Sequence, residues 1–144
     1  MGAQAVKVTV DTNILVRVAV QDDPYQSRVA QRVLREAETI AIAVPALCEF
    51  VWVLSRAYGY SIKDIATAIE RLTSSSSVVM DRPAVDAGLA AMQAGGDFAD
   101  GVIAFEGRRV GGDIFVSFDR EAVRMIGAIG GETRLLSSTA SRSS

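Results

Sequence analysis

Apolar positions along this chain switch repeatedly between a short alternating pattern and a helical one. Val6-Lys7-Val8-Thr9-Val10 alternates weakly and is rich in β-branched residues, which predicts a first strand. Asp11-Thr12-Asn13 ends it, and the apolar run 14–20 predicts a short helix or turn. Asp22 or Asp23 can cap a helix over residues 24–38 with Pro24 at its first position. Residues 40–44 read as a short buried strand, and residues 45–58 as a helix stopped by Gly59, which can adopt a positive φ. Ser61 with Asp64 resembles a capping box in which Asp replaces Glu, opening a helix over 61–72.

The second half repeats the rhythm. A serine loop at 74–77 precedes a short strand at 78–80, and Asp81 caps a helix over 83–94 that ends at Gly95-Gly96. Asp97 caps the next helix, to about residue 110, before Gly111-Gly112. Residues 114–118 form a strand, Asp119 opens a loop or turn before a helix through 126, and 135–136 form a last strand. Five serines among residues 137–144 predict a disordered tail. Short strands alternating with helices imply βαβ units and a parallel sheet covered on both faces. The expected fold is a three-layer α/β/α sandwich with a mainly parallel central sheet, in one domain over residues 1–136.

Composition narrows the chemistry. The 144 residues contain no histidine, which removes Ser-His-Asp and Cys-His catalysis, His-ligated zinc and HExxH helices. Cys48 is the one cysteine, so disulfides, CxxC pairs and cysteine metal clusters are excluded. Lysine occurs only at Lys7 and Lys63, neither in a phosphate-binding GxxxxGK[ST] loop. The formal charge is -2, which neither demands nor refuses a polyanionic substrate. Of the 15 basic residues 13 are arginine, the side chain that grips phosphate bidentately. The apolar stretch 40–54 is too short to span a membrane and contains Pro45 and Glu49. Asp11, Asn13 and Arg17 interrupt anything resembling a secretory core. A soluble, cytoplasmic protein is expected.

Four acidic residues stand out by context. Asp11 and Asp119 directly follow predicted strands, and ligand crevices in parallel sheets form outside the carboxyl ends of strands. Each could equally cap the helix or make the turn that follows it. Glu49 interrupts an otherwise apolar helix, and a helix apolar on all sides is buried. Glu49 is therefore expected to lack easy access to bulk water and to need a cation, hydrogen-bond donors or a polar cleft, an arginine being the purely structural solution. Asp97 and Asp100, three apart, share one face at a helix start, where the helix dipole also favours an anion. Gly101 would let another backbone approach closely. Without histidine, hydrolysis can still run through Mg²⁺ or Mn²⁺, which take oxygen ligands, lower the pKa of bound water and neutralise phosphate charge.

Val10-Asp11-Thr12-Asn13, the lone Glu49, the stretch Asp97-Phe98-Ala99-Asp100-Gly101-Val102-Ile103-Ala104, and Ser117-Phe118-Asp119 follow the order and spacing of the PIN-domain ribonucleases. The chain resembles most closely the toxins of VapBC type II toxin–antitoxin pairs, from about residue 6 to about residue 130. The resemblance implies a PIN-like fold and a Mg²⁺- or Mn²⁺-dependent endoribonuclease whose products carry a 5′-phosphate and a 3′-hydroxyl. It implies Asp11, Glu49, Asp100 and Asp119 as the catalytic acids, with Asp11 and Asp100 as metal ligands. Asn13, Asp97 and Ser117 match supporting polar positions, Ser standing where Thr is frequent. Gly101 departs from the more usual Ala and implies a packing difference.

Other features bear on partners. Arg28, Arg32 and Arg35 form a cationic stripe at i, i+4, i+7, which is also what an ordinary solvated helix face looks like. Arg108-Arg109 could contact phosphates, which would set affinity and salt dependence without reading sequence. Aromatic residues make up only 6% of the chain, too few for an extensive base-stacking platform. Phe50 and Trp52 fall on different faces of one helix, while Ile62, Ile65, Ala66 and Ile69 stripe the next. The resemblance implies RNA as substrate, a small VapB-like antitoxin as partner, and a homodimer. The rival reading is a non-catalytic protein-interaction module of PIN-like fold. A phospho-acceptor receiver domain would need a late lysine, and none follows Lys63.

Overall fold

The structure is a computed structural model that describes residues 6–137; of the serine-rich segment expected to be disordered, residues 138–144 lie outside them. The chain divides into two compact units, Met1–Asp81 and Arg82–Ser144. In the first, the order is β1 (Lys7–Thr9), α1 (Thr12–Ala19), α2 (Pro24–Glu36), β2 (Thr39–Ala41), α3 (Val44–Arg56), α4 (Ile62–Thr73) and β3 (Val78–Val79). The three strands pair in parallel in the order β1-β2-β3, with Val8 opposite Ile40 and Ile40 opposite Val78. Each parallel pair is joined through two helices, the kind of crossover that parallel pairing requires.

The local chemistry accounts for these boundaries. The Asp23 carboxylate accepts a hydrogen bond from the Gln26 amide at 3.0 Å, so Asp23 caps α2 and Asp22 is left for another task. The Ser61 hydroxyl does the same for α4 through the Asp64 amide at 3.1 Å. The run 14–20 resolves as helix α1, and Gly59, at φ 66°, turns the chain after α3. The core of this unit is apolar side chains from every layer: Leu15, Ile40, Leu47, Phe50, Leu54 and Ile69 are all essentially sealed from solvent. Burying each contributes about 1.5–3 kcal/mol.

The second unit runs α5 (Arg82–Gln93), α6 (Phe98–Arg109), β4 (Ile114–Ser117), α7 (Arg120–Ala128) and β5 (Glu132–Leu135). β4 and β5 pair in parallel across α7, with Phe115 opposite Thr133. Helices α5 and α6 pack so closely that a Cβ on Gly101 would stand 2.5 Å from the Ala87 carbonyl oxygen, and one on Gly88 would stand 2.6 Å from the Phe98 ring. The close approach expected at Gly101 is thus between α6 and the α5 backbone.

The α/β class and the parallel strands agree with the sequence. The last strand does not. It occupies Glu132–Leu135, earlier than the Leu135-Leu136 pair suggested. Its register against β4 selects Thr133 and Arg134 for pairing, and its residues are largely exposed, so no apolar alternation marked it. Strand β2 likewise starts at Thr39 and ends at Ala41, because residue 44 already belongs to α3.

Candidate active site

In the first unit, Asp11 follows β1 with extended backbone geometry (φ -80°, ψ 164°) and caps α1, its Oδ1 accepting from the Thr12 amide at 2.7 Å. The buried Thr12 hydroxyl donates to the Ala46 carbonyl at 3.3 Å, pinning the start of α1 to α3 one turn ahead of Glu49. Helix α1 therefore holds Asp11 and Asn13 beside α3. Asp11, Asn13 and Glu49 line one cleft of about 290 Å³ together with Arg17, Val53 and Tyr58.

Glu49 corrects the sequence reading. It is exposed, so the expectation of a carboxylate shut away from water fails. Helix α3 buries Val44, Leu47, Phe50, Val51 and Leu54 along one stripe, while Trp52, on another face, stays 61% exposed. An unbroken apolar run does not bury a helix all round when only one side has something to pack against. Glu49 faces a solvent-open cleft and needs no buried counter-charge.

In the second unit, Asp97 caps α6 by accepting from the Ala99 amide at 3.2 Å. Asp100 sits in the first turn of that helix, half-buried and flanked by the buried Phe98, Gly101 and Val102. Asp119 follows β4 and caps α7, its Oδ1 accepting from the Glu121 amide at 2.9 Å and the Ala122 amide at 3.2 Å. The Ser117 hydroxyl oxygen accepts from the Asp119 amide at 2.9 Å, which sets the backbone that carries that carboxylate. Asp97 and Asp119 thus carry a capping role whatever else they do.

Electrostatics single out Asp100. Burial pushes its carboxyl above the usual range, and the negative charges of Asp97 and Asp119 push it further the same way. These three acids share one field. Among the described residues, no three acidic side chains form a ready-made cage for a cation. A Mg²⁺-type ion does not require one, since it is commonly held by one or two carboxylates plus water and substrate phosphate. The donors present are hard oxygens only, and the charge around Asp100 is what a divalent cation would relieve, so the residues fit such an ion.

Three residues escaped the sequence reading: Thr12 as the pin between helices, and Arg17 and Tyr58 on the cleft wall. Arg17 left a signal of the same kind as Glu49, a lone charge inside the apolar run 14–20. Tyr58 left none.

The family model for the PIN domain matches residues 8–127, a span that runs through both units. No curated protein matches the chain. Among the described residues, no helix is long and apolar enough to cross a membrane.

Proposed function

The chain belongs to the PIN domain family, whose members are typically metal-dependent nucleases, and from that premise we propose that it is an endoribonuclease using Mg²⁺ or Mn²⁺. We read residues 1–136 as one such domain because a single family model crosses the boundary between the units. The observation that carries the reading is the half-burial of Asp100 at the start of α6 beside the negative charges of Asp97 and Asp119. In the second unit Asp100 would act as a cation ligand, with Asp97 and Asp119 adding to the field and Ser117 orienting Asp119. In the first, Asp11 would act as a cation ligand while Glu49 and Asn13 line the cleft where RNA enters. When bound, the cation supplies charge neutralisation at the phosphate and a more acidic water.

At a finer level, we propose the toxin role of a type II pair, with a small antitoxin as partner and a homodimer as the working form. Its support is the resemblance of the acidic motifs to the VapBC toxins. Trp52 and Ile62, 61% and 45% exposed, offer apolar surface for such contacts.

Chelation tests the activity. Purified protein is expected to cut single-stranded RNA in Mg²⁺, to stop in EDTA and to resume when Mg²⁺ is returned, with 5′-phosphate ends on the products. Protein that never cuts RNA under any divalent cation would favour the interaction-module reading instead. For the dimer, light scattering on the purified chain is expected to return twice the 15.3 kDa chain mass.

A further inference from the structure

An acidic cleft that receives RNA faces a physical difficulty, because its carboxylates repel the phosphates on either side of the one being cut. Among the described residues, the lining of the cleft with Asp11 and Glu49 includes one cation able to offset this, Arg17. Arg17 lies on the same wall as Asn13, one helical turn further along α1, and both side chains also border the neighbouring cleft formed with Tyr25, Gln26 and Val29. At 1.5 Å per residue it stands about 9 Å along the helix from Asp11. It is therefore displaced from the acidic end rather than neutralised by it.

Its orientation is set from outside. Arg17 Nη1 donates to Asp22 Oδ1 at 2.5 Å, and the Tyr58 hydroxyl donates to the other oxygen of the same carboxylate at 3.0 Å. Partial burial alone would push the Asp22 carboxyl up, but the Tyr58 hydroxyl and the Arg17 guanidinium outweigh it and hold Asp22 below the usual carboxylate range. Asp22 so stays charged and keeps its grip at any pH where RNA is handled. A guanidinium carries five N–H donors in a flat fork; the Asp22 bond engages Nη1 and Tyr58 also borders the group, which leaves further donors for a phosphate. The side chain retains 28% exposure and is among the residues that line the cleft.

We propose that Arg17 is a phosphate-binding residue for single-stranded RNA, gripping a backbone phosphate neighbouring the scissile one while Asp22 and Tyr58 hold its guanidinium against the cleft. This rests on the nuclease reading above. Arg17 binds substrate and transition state alike, so its contribution falls on KM and not on kcat.

The test uses the full chain and two substitutions that break the same ion pair in opposite senses. Arg17→Gln removes the cation. Asp22→Asn removes the counter-charge but keeps an amide oxygen to accept from Arg17. For cleavage of a short single-stranded RNA in Mg²⁺, Arg17→Gln is expected to raise KM about tenfold, the scale of one charge-assisted contact, with kcat nearly unchanged. Binding of a fluorescein-labelled single-stranded RNA, measured in an Asp100→Asn background against salt, is expected to lose about 0.7 from its log–log slope, one phosphate's worth. Asp22→Asn is expected to bind RNA as tightly as the parent or more tightly. Equal losses in both variants would make Arg17 a structural partner of Asp22 and overturn the proposal, as would an unchanged KM and salt slope in Arg17→Gln. Parent protein that binds RNA with an Arg17-dependent slope but never cuts it would sink the nuclease reading and leave this contact standing.

Discussion

Replacing Asp100 with asparagine is expected to weaken RNA cleavage severely and, in metal-free buffer at neutral pH, to make the protein more stable. The two effects share a cause. Asn keeps the shape of the side chain and loses its charge, so the half-buried position at the start of α6 is filled without distortion. A carboxylate there is costly because burial and the charges of Asp97 and Asp119 act against ionisation. Its pKa is therefore higher in the folded than in the unfolded chain, and the folded state holds the extra proton. The stability linked to that proton is fully present below the unfolded pKa and is lost as pH rises through the folded one. At neutral pH the parent carries the full penalty and Asp100→Asn carries none, which should raise Tm by a few degrees, a modest figure because the site is partly solvated.

Activity should move the other way. A charge that repels its neighbours in metal-free buffer is the one that would hold a divalent cation, and its loss is expected to lower kcat/KM on the order of 10²–10³-fold, the scale for removing a preorganised electrostatic group. Melting curves with and without Mg²⁺, from pH 7 down through the ordinary aspartate range, check the coupling. The stability gap between the two proteins should close as pH falls, and Mg²⁺ should raise the Tm of the parent but not that of the variant. Parent-like turnover in Asp100→Asn, or a gap that widens in acid, would remove Asp100 from the site.

Gly101→Ala is expected to destabilise the protein even though alanine is the better helix former. Helix propensity favours the change by about 1 kcal/mol. Against it, the new Cβ would lie 2.5 Å from the Ala87 carbonyl oxygen and 2.6 Å from the Ala91 Cβ. The first obstacle is backbone, which cannot swing aside, so α5 and α6 must separate. Overpacking of this kind costs typically 1–3 kcal/mol, more when a backbone must move, so packing should win by roughly 1–2 kcal/mol. A lower denaturant midpoint at unchanged slope is the expected result, and a midpoint equal to or above the parent's would mean the helices are not as close as described. The resemblance to the PIN family makes alanine the more usual residue here. In this chain glycine is required by how near α5 runs.

The helices and the acids were legible in the sequence because their signals are local. Asp23 before Pro24, Ser61 three residues ahead of Asp64 and Gly59 after an apolar run act within a turn of themselves, and the structure uses all three. Strand β5 was misplaced because an exposed two-stranded pair imposes no apolar pattern. Glu49 was misread because hydropathy records what a helix could bury, not which side meets a neighbour. Gly101 was read correctly as a close approach, since a glycine inside a helix has little other use.

Determined by the sequence alone are the chemistry open to this protein and its family: no histidine, oxygen ligands only, acids after two strands and at one helix start. Tertiary structure alone decided what those acids experience. Asp100 meets the charge of Asp119 only after a strand intervenes, Thr12 reaches Ala46, and Arg17 is held by an Asp22 that Tyr58 braces from the turn after α3. The division is physical: hydrogen bonds and propensities act over a few residues of chain, whereas charge and packing act through space.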